Sequence, residues 1–277
     1  QGTFDYAQNK WGYTDGAALE WKQDWWTLRG GVYQLSQIPQ GQKIEPIILN
    51  QFMAVSELEV RSELFNQPNV LKFLFFSDNG KFSKFSDVFD AAFLQSSYPP
   101  NDMQASLFKR HQKNGFGINL AQQIYPGIGF FFRGGINDGR YQAIEYTDVN
   151  QTITGGLVYD GQLWDRPQDK IGTAFGMSGI SGDYQRYLKM GGIGAFVGDG
   201  SAKTGNSLLY YLPGNYGSPT GAGRLSYGPE TVFESYYKRG ITDWLEATLD
   251  YQFIANPGYN TARGPVNFFG LRVRAEF

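Results

Sequence analysis

The feature that most constrains this chain is a period of two. Apolar residues recur at every second position over segments of about ten residues, and the connections between those segments alternate between short and long. The last eleven residues, NFFGLRVRAEF, show the pattern: Phe269, Leu271, Val273, Ala275 and Phe277 fall on one side, and Arg272, Arg274 and Glu276 on the other. Successive side chains of a strand point to opposite faces, so this is strand spacing, not helix spacing. In a water-soluble sheet the apolar side would cover a core; in a membrane strand it would face lipid.

Segments of this kind are expected near residues 3–9, 12–22, 25–35, 51–64, 69–77, 114–124, 128–137, 150–160, 170–180, 230–240, 244–253 and 267–277. A strand tilted by about 45° crosses a bilayer core in about 9–11 residues, which these lengths match. Short connections are expected at 23–24, 65–68, 125–127, 164–169 and 241–243, and long ones at 36–50, 78–113, 138–149, 181–229 and 254–266. Soluble sandwiches do not sort their loops by length in this way, whereas outer-membrane barrels join strands by tight periplasmic turns and long outer loops. The expected fold is therefore all-β: one antiparallel transmembrane β-barrel domain over residues 1–277, with about 12 strands.

Composition supports strands and turns. Aromatic residues make up 17% of the chain, glycines number 36, and charged residues are only 18%. No run approaches the 18 or so apolar residues of a membrane helix, so strands must make any crossing. The net charge of −2 carries no basic surface for nucleic acid. With no cysteine and a single histidine, His111, the chain lacks thiolate metal sites, disulfides and nearly every His-based catalytic arrangement. No catalytic residue, metal site or cofactor is expected.

If the apolar faces meet lipid, the opposite faces must meet water, since an Arg or Lys on the lipid side near mid-bilayer costs about 2–4 kcal/mol. Alternation then assigns the lumen residues. They are Glu20, Arg29, Glu57, Glu59, Arg61, Arg133, Glu234, Glu246, Asp250, Arg272 and Arg274. Within a strand they share one face, so a slip of one residue would move them all together. Tyr and Trp near the strand ends, among them Trp11, Trp21, Trp25, Trp26, Tyr125, Tyr236, Tyr237 and Trp244, suit interfacial girdles. Two loop segments are expected to be helical: 86–95, with Ser86 as N-cap, and 182–190, closed by Gly191-Gly192.

Several motifs imitate chemistry. SDN at 77–79 and KTG at 203–205 match two signatures of serine penicillin-recognising enzymes, but no Ser has Lys three positions on to supply the nucleophile. GGIGAFVGDG, 191–200, lacks the GK[ST] and the βαβ setting of a phosphate loop. Glu57 and Glu59 alternate with Arg61 along one face, as a charge-balanced wall would, rather than standing as an isolated acid–base pair.

The segments YGPETVFESYY (227–237) and DYQFIANPGYNTARGPVNFFGLRVRAEF (250–277) closely resemble the end of carbohydrate-selective outer-membrane porins of Gram-negative bacteria, the OprB type. FDYAQNKWGYTDGAALEW (4–21), WTLRGGVYQLS (26–36) and ISGDYQRYLKMGGIGAFVGDG (180–200) resemble the same family, so the likeness runs over essentially the whole chain. The resemblance implies a barrel of about 16 strands. It thereby implies that an N-terminal portion is missing and that Gln1 is an internal position. Residues 201–226 stand out as an insertion relative to the family's loop. The resemblance further implies passive diffusion of small sugars such as glucose across the outer membrane, with a general-diffusion pore as the alternative. Its implied partners are sugars, outer-membrane lipid and the barrel-assembly machinery, the last through the terminal Phe277. A monomer and a homotrimer remain open, and no constriction residue is carried over.

Overall fold

The computed structural model describes residues 2–94, 107–146, 148–189 and 225–276. Eleven strands form one antiparallel sheet in strict chain order, each pairing with the next. They are β1 (Gly16–Lys22), β2 (Trp26–Gln34), β3 (Phe52–Leu64), β4 (Gln67–Phe82), β5 (Lys109–Tyr125), β6 (Ile128–Asn137), β7 (Gln151–Asp160), β8 (Lys170–Gly179), β9 (Glu230–Thr242), β10 (Leu245–Ala255) and β11 (Val266–Ala275). Among the described residues β1 and β11 pair on one side only. Two short helices, α1 (Phe85–Leu94) and α2 (Gly182–Lys189), lie in the long connections. No helix among the described residues is long and apolar enough to cross a membrane.

The alternation of connections holds. The β3–β4 turn is two residues, Phe65 and Asn66, both with positive φ (56° and 57°), the conformation that matches the right-handed twist of flanking strands. At the β5–β6 turn Pro126 precedes Gly127, whose φ of 83° a side chain would strain. α2 is capped by Ser181, whose Oγ accepts the Tyr184 amide at 3.0 Å. α1 starts one residue before the expected cap, so Ser86 lies within its first turn.

Two expectations are corrected. Residues 3–9 form no strand; they run as an irregular segment across one face of the sheet. The Asn137 amide donates to the Thr3 carbonyl at 2.8 Å, and the Phe4 ring meets Phe76 edge-on at 5.0 Å. The reason is partnership: Phe76, Met53 and Leu74 make an apolar patch on that face, and Phe4, Leu35 and Ile144 cover it. The other correction concerns length, because β4 and β5 extend well past their expected ends at the long-loop side. A second apolar cluster, built around Phe85, Ile180, Tyr184, Tyr187 and Leu188, ties α1 to α2 there. The glycine-rich segment 191–200, the KTG at 203–205 and Phe277 lie outside the described residues.

Candidate functional site

The strand registers sort the side chains into two faces of opposite character. One face carries Leu19, Leu28, Leu58, Phe75, Phe116, Ile136, Ile153, Phe175, Phe233, Leu249 and Leu271, all exposed and following one another across the paired strands. An exposed apolar band of this extent is far larger than the patches of a water-soluble monomer. The other face is the one covered in part by residues 3–9 and the loop 139–146, and we call it the inner face. By register all eleven residues singled out from the sequence sit on it, from Glu20 opposite Arg29 through to Glu246 opposite Arg274.

Five of the eleven come together in one ion-pair ladder across β1 to β4. The Arg29 guanidinium lies between three carboxylates: Nε donates to Glu20 at 2.6 Å, and Nη1 to Glu57 at 2.7 Å and Glu59 at 2.8 Å. Arg61 donates to Glu59 at 2.5 Å and to the carbonyls of Gln23 and Trp26, so it also staples the β1–β2 turn. Lys72 completes the ladder at 3.0 Å from Glu59 and 3.8 Å from Glu57. Lys72 was missed because VLKFLFF is apolar at nearly every position around it, which hides which way β4 faces. Alternation can assign a face only where the two faces differ. With Arg29, Arg61 and Lys72 against Glu20, Glu57 and Glu59, the ladder is neutral.

A second cluster lies at the short-turn end of β9 to β11. Glu246 accepts from Lys238 at 2.9 Å and sits 3.9 Å from Arg274, which also donates to Glu276 at 2.9 Å. The remaining residues stand apart from both clusters. Among the described residues Arg133, Glu234, Asp250 and Arg272 make no ion pair. Arg133 instead lies 5.4 Å from the centre of the Phe131 ring, within cation–π range. Tyr236, expected in a girdle, is on the inner face, paired by register with Asp250. The exposed Trp21, Trp25, Tyr125 and Trp244 gather at the short-turn end, as an interfacial belt would.

The sequence gives no sign of a third group, buried where the N-terminal segment crosses the inner face. Asp5 accepts the Lys113 ammonium at 2.7 Å, the Ile144 amide at 2.9 and 3.1 Å and the Glu145 amide at 3.0 Å. Lys113 and Asp5 are 1% and 0% exposed. Asp78, the cross-strand partner of Lys113, is buried with neither carboxyl oxygen hydrogen-bonded. Burial pushes the Glu145 carboxyl in the loop up to about 7, with the Asp5 charge acting the same way. No cluster of metal-ligating side chains occurs among the described residues.

The family model of the carbohydrate-selective porins, OprB family, matches residues 4–277. No curated protein matches the chain by sequence. Among solved structures, OprB of Pseudomonas putida at high pH is 16% identical, with a TM-score of 0.68 over 95% of this chain and 58% of that one. OccK8 (OprE) of Pseudomonas aeruginosa is 9% identical, with a TM-score of 0.50 over 94% of this chain and 56% of that one. At such identities the likeness is one of fold. The chain thus spans less than two thirds of the length of the structures it matches.

Proposed function

The chain belongs to the carbohydrate-selective porin family, and from that premise we propose that it builds the wall of an outer-membrane pore through which small sugars, glucose among them, diffuse passively. Porins of this kind are channels, and their place is the outer membrane. The inner-face charges are proposed as the pore lining, and residues 1–277 as part of a single barrel domain.

The observation that carries the reading is the neutral ladder beside an exposed apolar band. A neutral polyhydroxylated solute sheds part of its hydration shell in a narrow passage, so the wall must return hydrogen bonds. Charged donors and acceptors make the strongest ones. A wall whose positive and negative groups cancel offers them without a net field that would favour ions over sugars. The apolar band supports lipid contact on the other side, where each strand exposes Leu, Ile or Phe. Phe277 is proposed as the signal recognised by the barrel-assembly machinery.

Reconstitution tests the function. Liposomes holding the porin should swell in glucose, and glucose should block the ion current of a planar bilayer in a saturable way. If uptake followed solute size alone, with no saturable block, a general-diffusion pore would replace the sugar-selective one.

A further inference from the structure

The outer face of β4 and β5, opposite the ladder, changes character twice on the way to the long-loop end. By register Phe75 pairs with Phe116, Ser77 with Asn114, Asn79 with Gln112 and Lys81 with Arg110. The two rings belong to the exposed apolar band. Above them comes a polar tier. The Gln112 amide donates to the Ser77 hydroxyl at 2.9 Å and to the Asn114 side-chain oxygen at 3.3 Å, and the Asn79 amide donates to Ser77 at 3.4 Å. The two cations stand at the top. Lys81 lies fourteen residues beyond Gln67, where β4 begins. At about 3.4 Å per residue and a tilt of about 45°, that is a rise of about 34 Å from the short-turn end, against about 30 Å for a hydrocarbon core. The pair therefore stands at the headgroup level of the outer leaflet.

Their charge is unanswered. Like charges directly opposite each other on paired strands repel, and among the described residues neither cation has an ion pair. Register puts no carboxylate on the outer face of β3, β4 or β5. The Glu45 carboxylate, which Lys81 influences at longer range, is buried and spent on the Gln51 side chain and the Ile47 amide. Arg110 is fixed by neutral acceptors instead: its two terminal nitrogens donate to the carbonyl and the side-chain oxygen of Asn50, each at 2.7 Å. Those bonds orient the guanidinium without cancelling its charge.

The loop that Arg110 holds is apolar where a loop in water would be polar. Ile47, Ile48 and Leu49 are 64%, 79% and 57% exposed. The Asn50 amide donates to the Ile47 carbonyl at 3.1 Å, which closes a turn with Ile48 and Leu49 at its tip. Leu49 has a φ of 60°, a conformation in which glycine is usual. A strained leucine on an exposed tip points to a function outside folding.

We propose that Lys81 and Arg110 bind a phosphate of a phosphorylated, multiply acylated glucosamine lipid in the outer leaflet, a lipid of the lipid A type. Arg110 supplies a planar fork and Lys81 a point charge, the two ways in which side chains hold phosphate. The polar tier below faces the ester and amide linkages, Phe75 and Phe116 carry the acyl chains, and the Ile48–Leu49 tip lies against the same chains. Apolar rings, then carboxamides, then cations repeat the order of such a lipid from its chains through its linkages to its phosphate. A zwitterionic phospholipid brings a phosphate already paired with an amine, so it answers this charge less well. A second copy of the chain facing this surface across a two-fold axis would set the cations against their own images. The site lies on the far side of the wall from the passage and is independent of the solute that passes.

The test titrates the full-length porin in detergent with bisphosphoryl lipid A, with its dephosphorylated form and with phosphatidylglycerol, and counts bound lipid by native mass spectrometry. The wild type should bind bisphosphoryl lipid A most tightly. Lys81→Gln and Arg110→Gln should each weaken that binding about fivefold, and the double variant about thirtyfold. Neither should alter the weak binding of the dephosphorylated form. Arg239→Gln, which removes an outer-face cation at the short-turn end, should match the wild type. Ile48→Ser with Leu49→Gly should weaken binding while keeping its dependence on phosphate. Heat-modifiable gel mobility confirms that each variant is assembled. Wild-type affinity in the assembled double variant would overturn the site, as would equal binding of the dephosphorylated lipid or of phosphatidylglycerol by the wild type. Self-association that the double variant loses, with lipid binding unchanged, would give the face to a second copy and overturn it too. Glucose block should be the same in all variants, so failure of the lipid site and failure of the sugar pore are read separately.

Discussion

Replacing Lys113 by methionine should release the N-terminal segment from the inner face. The ammonium and the Asp5 carboxylate are 2.7 Å apart and essentially without solvent contact. Methionine keeps the length and removes the charge, leaving Asp5 buried beside Asp78 with no cation. Breaking a buried pair by removing one partner costs about 3–5 kcal/mol, mostly the cost of the orphaned charge. Because Asp5 also holds the Ile144 and Glu145 amides, the cost falls on local opening of residues 3–9 and 139–146 rather than on the sheet. At about 1.4 kcal/mol per factor of ten, hydrogen exchange of those two amides should accelerate by about 100- to 4,000-fold. Exchange within β7 to β10 should not change, and single-channel conductance should rise as the segment leaves the passage. Wild-type exchange rates at Ile144 and Glu145 in an assembled Lys113→Met protein would refute the reasoning.

Three further outcomes follow from the same structure. Glu145 titrates near 7 in the folded loop against an ordinary value of 4.5, so the folded junction binds its proton more tightly than the open one. Its contribution, at most about 3 kcal/mol, is present at low pH and is lost as pH rises from about 4.5 to 7; Glu145→Gln should flatten that dependence in the exchange of loop 139–146, and an unchanged profile would contradict it. Arg29→Met leaves the ladder with three carboxylates and two cations, so reversal potentials should shift toward cation selectivity, and an unshifted potential would place the ladder away from the ion path. Deleting Phe277 should lower the yield of assembled, heat-modifiable protein more than it alters the conductance of channels that do form; a normal yield would remove its assembly role.

The sheet was legible because lipid and water impose opposite demands on alternate residues, and wherever that contrast is strong the registers agree with the alternation. Glu57, Glu59 and Arg61 are separated from Leu58 and Val60 by parity alone, and the structure pairs them accordingly. Legibility failed where the contrast is absent. Lys72 sits among residues that are apolar on both sides, and Tyr236 and Tyr237 are adjacent rings on opposite faces. It failed differently at the N-terminal segment. Phe4 and Tyr6 alternate with Thr3, Asp5 and Ala7 much as a strand would. What takes this stretch out of the sheet is a partner 108 residues away, Lys113, together with an apolar inner patch that needs covering. Local spacing carries no trace of such a contact.

The central claim is that one face of this sheet lines a watery passage for sugars while the other meets lipid. The chain has no cysteine, so single-cysteine variants along β8 test it directly. Ala174 is on the inner face, paired with Glu234, and Phe175 is on the other, paired with Phe233. In reconstituted porin a water-soluble thiol reagent should modify Ala174→Cys quickly, glucose should slow that modification, and Phe175→Cys should stay unmodified until the membrane is dissolved. Equal modification of the two sites in the intact bilayer, or an Ala174→Cys rate indifferent to glucose, would contradict the account.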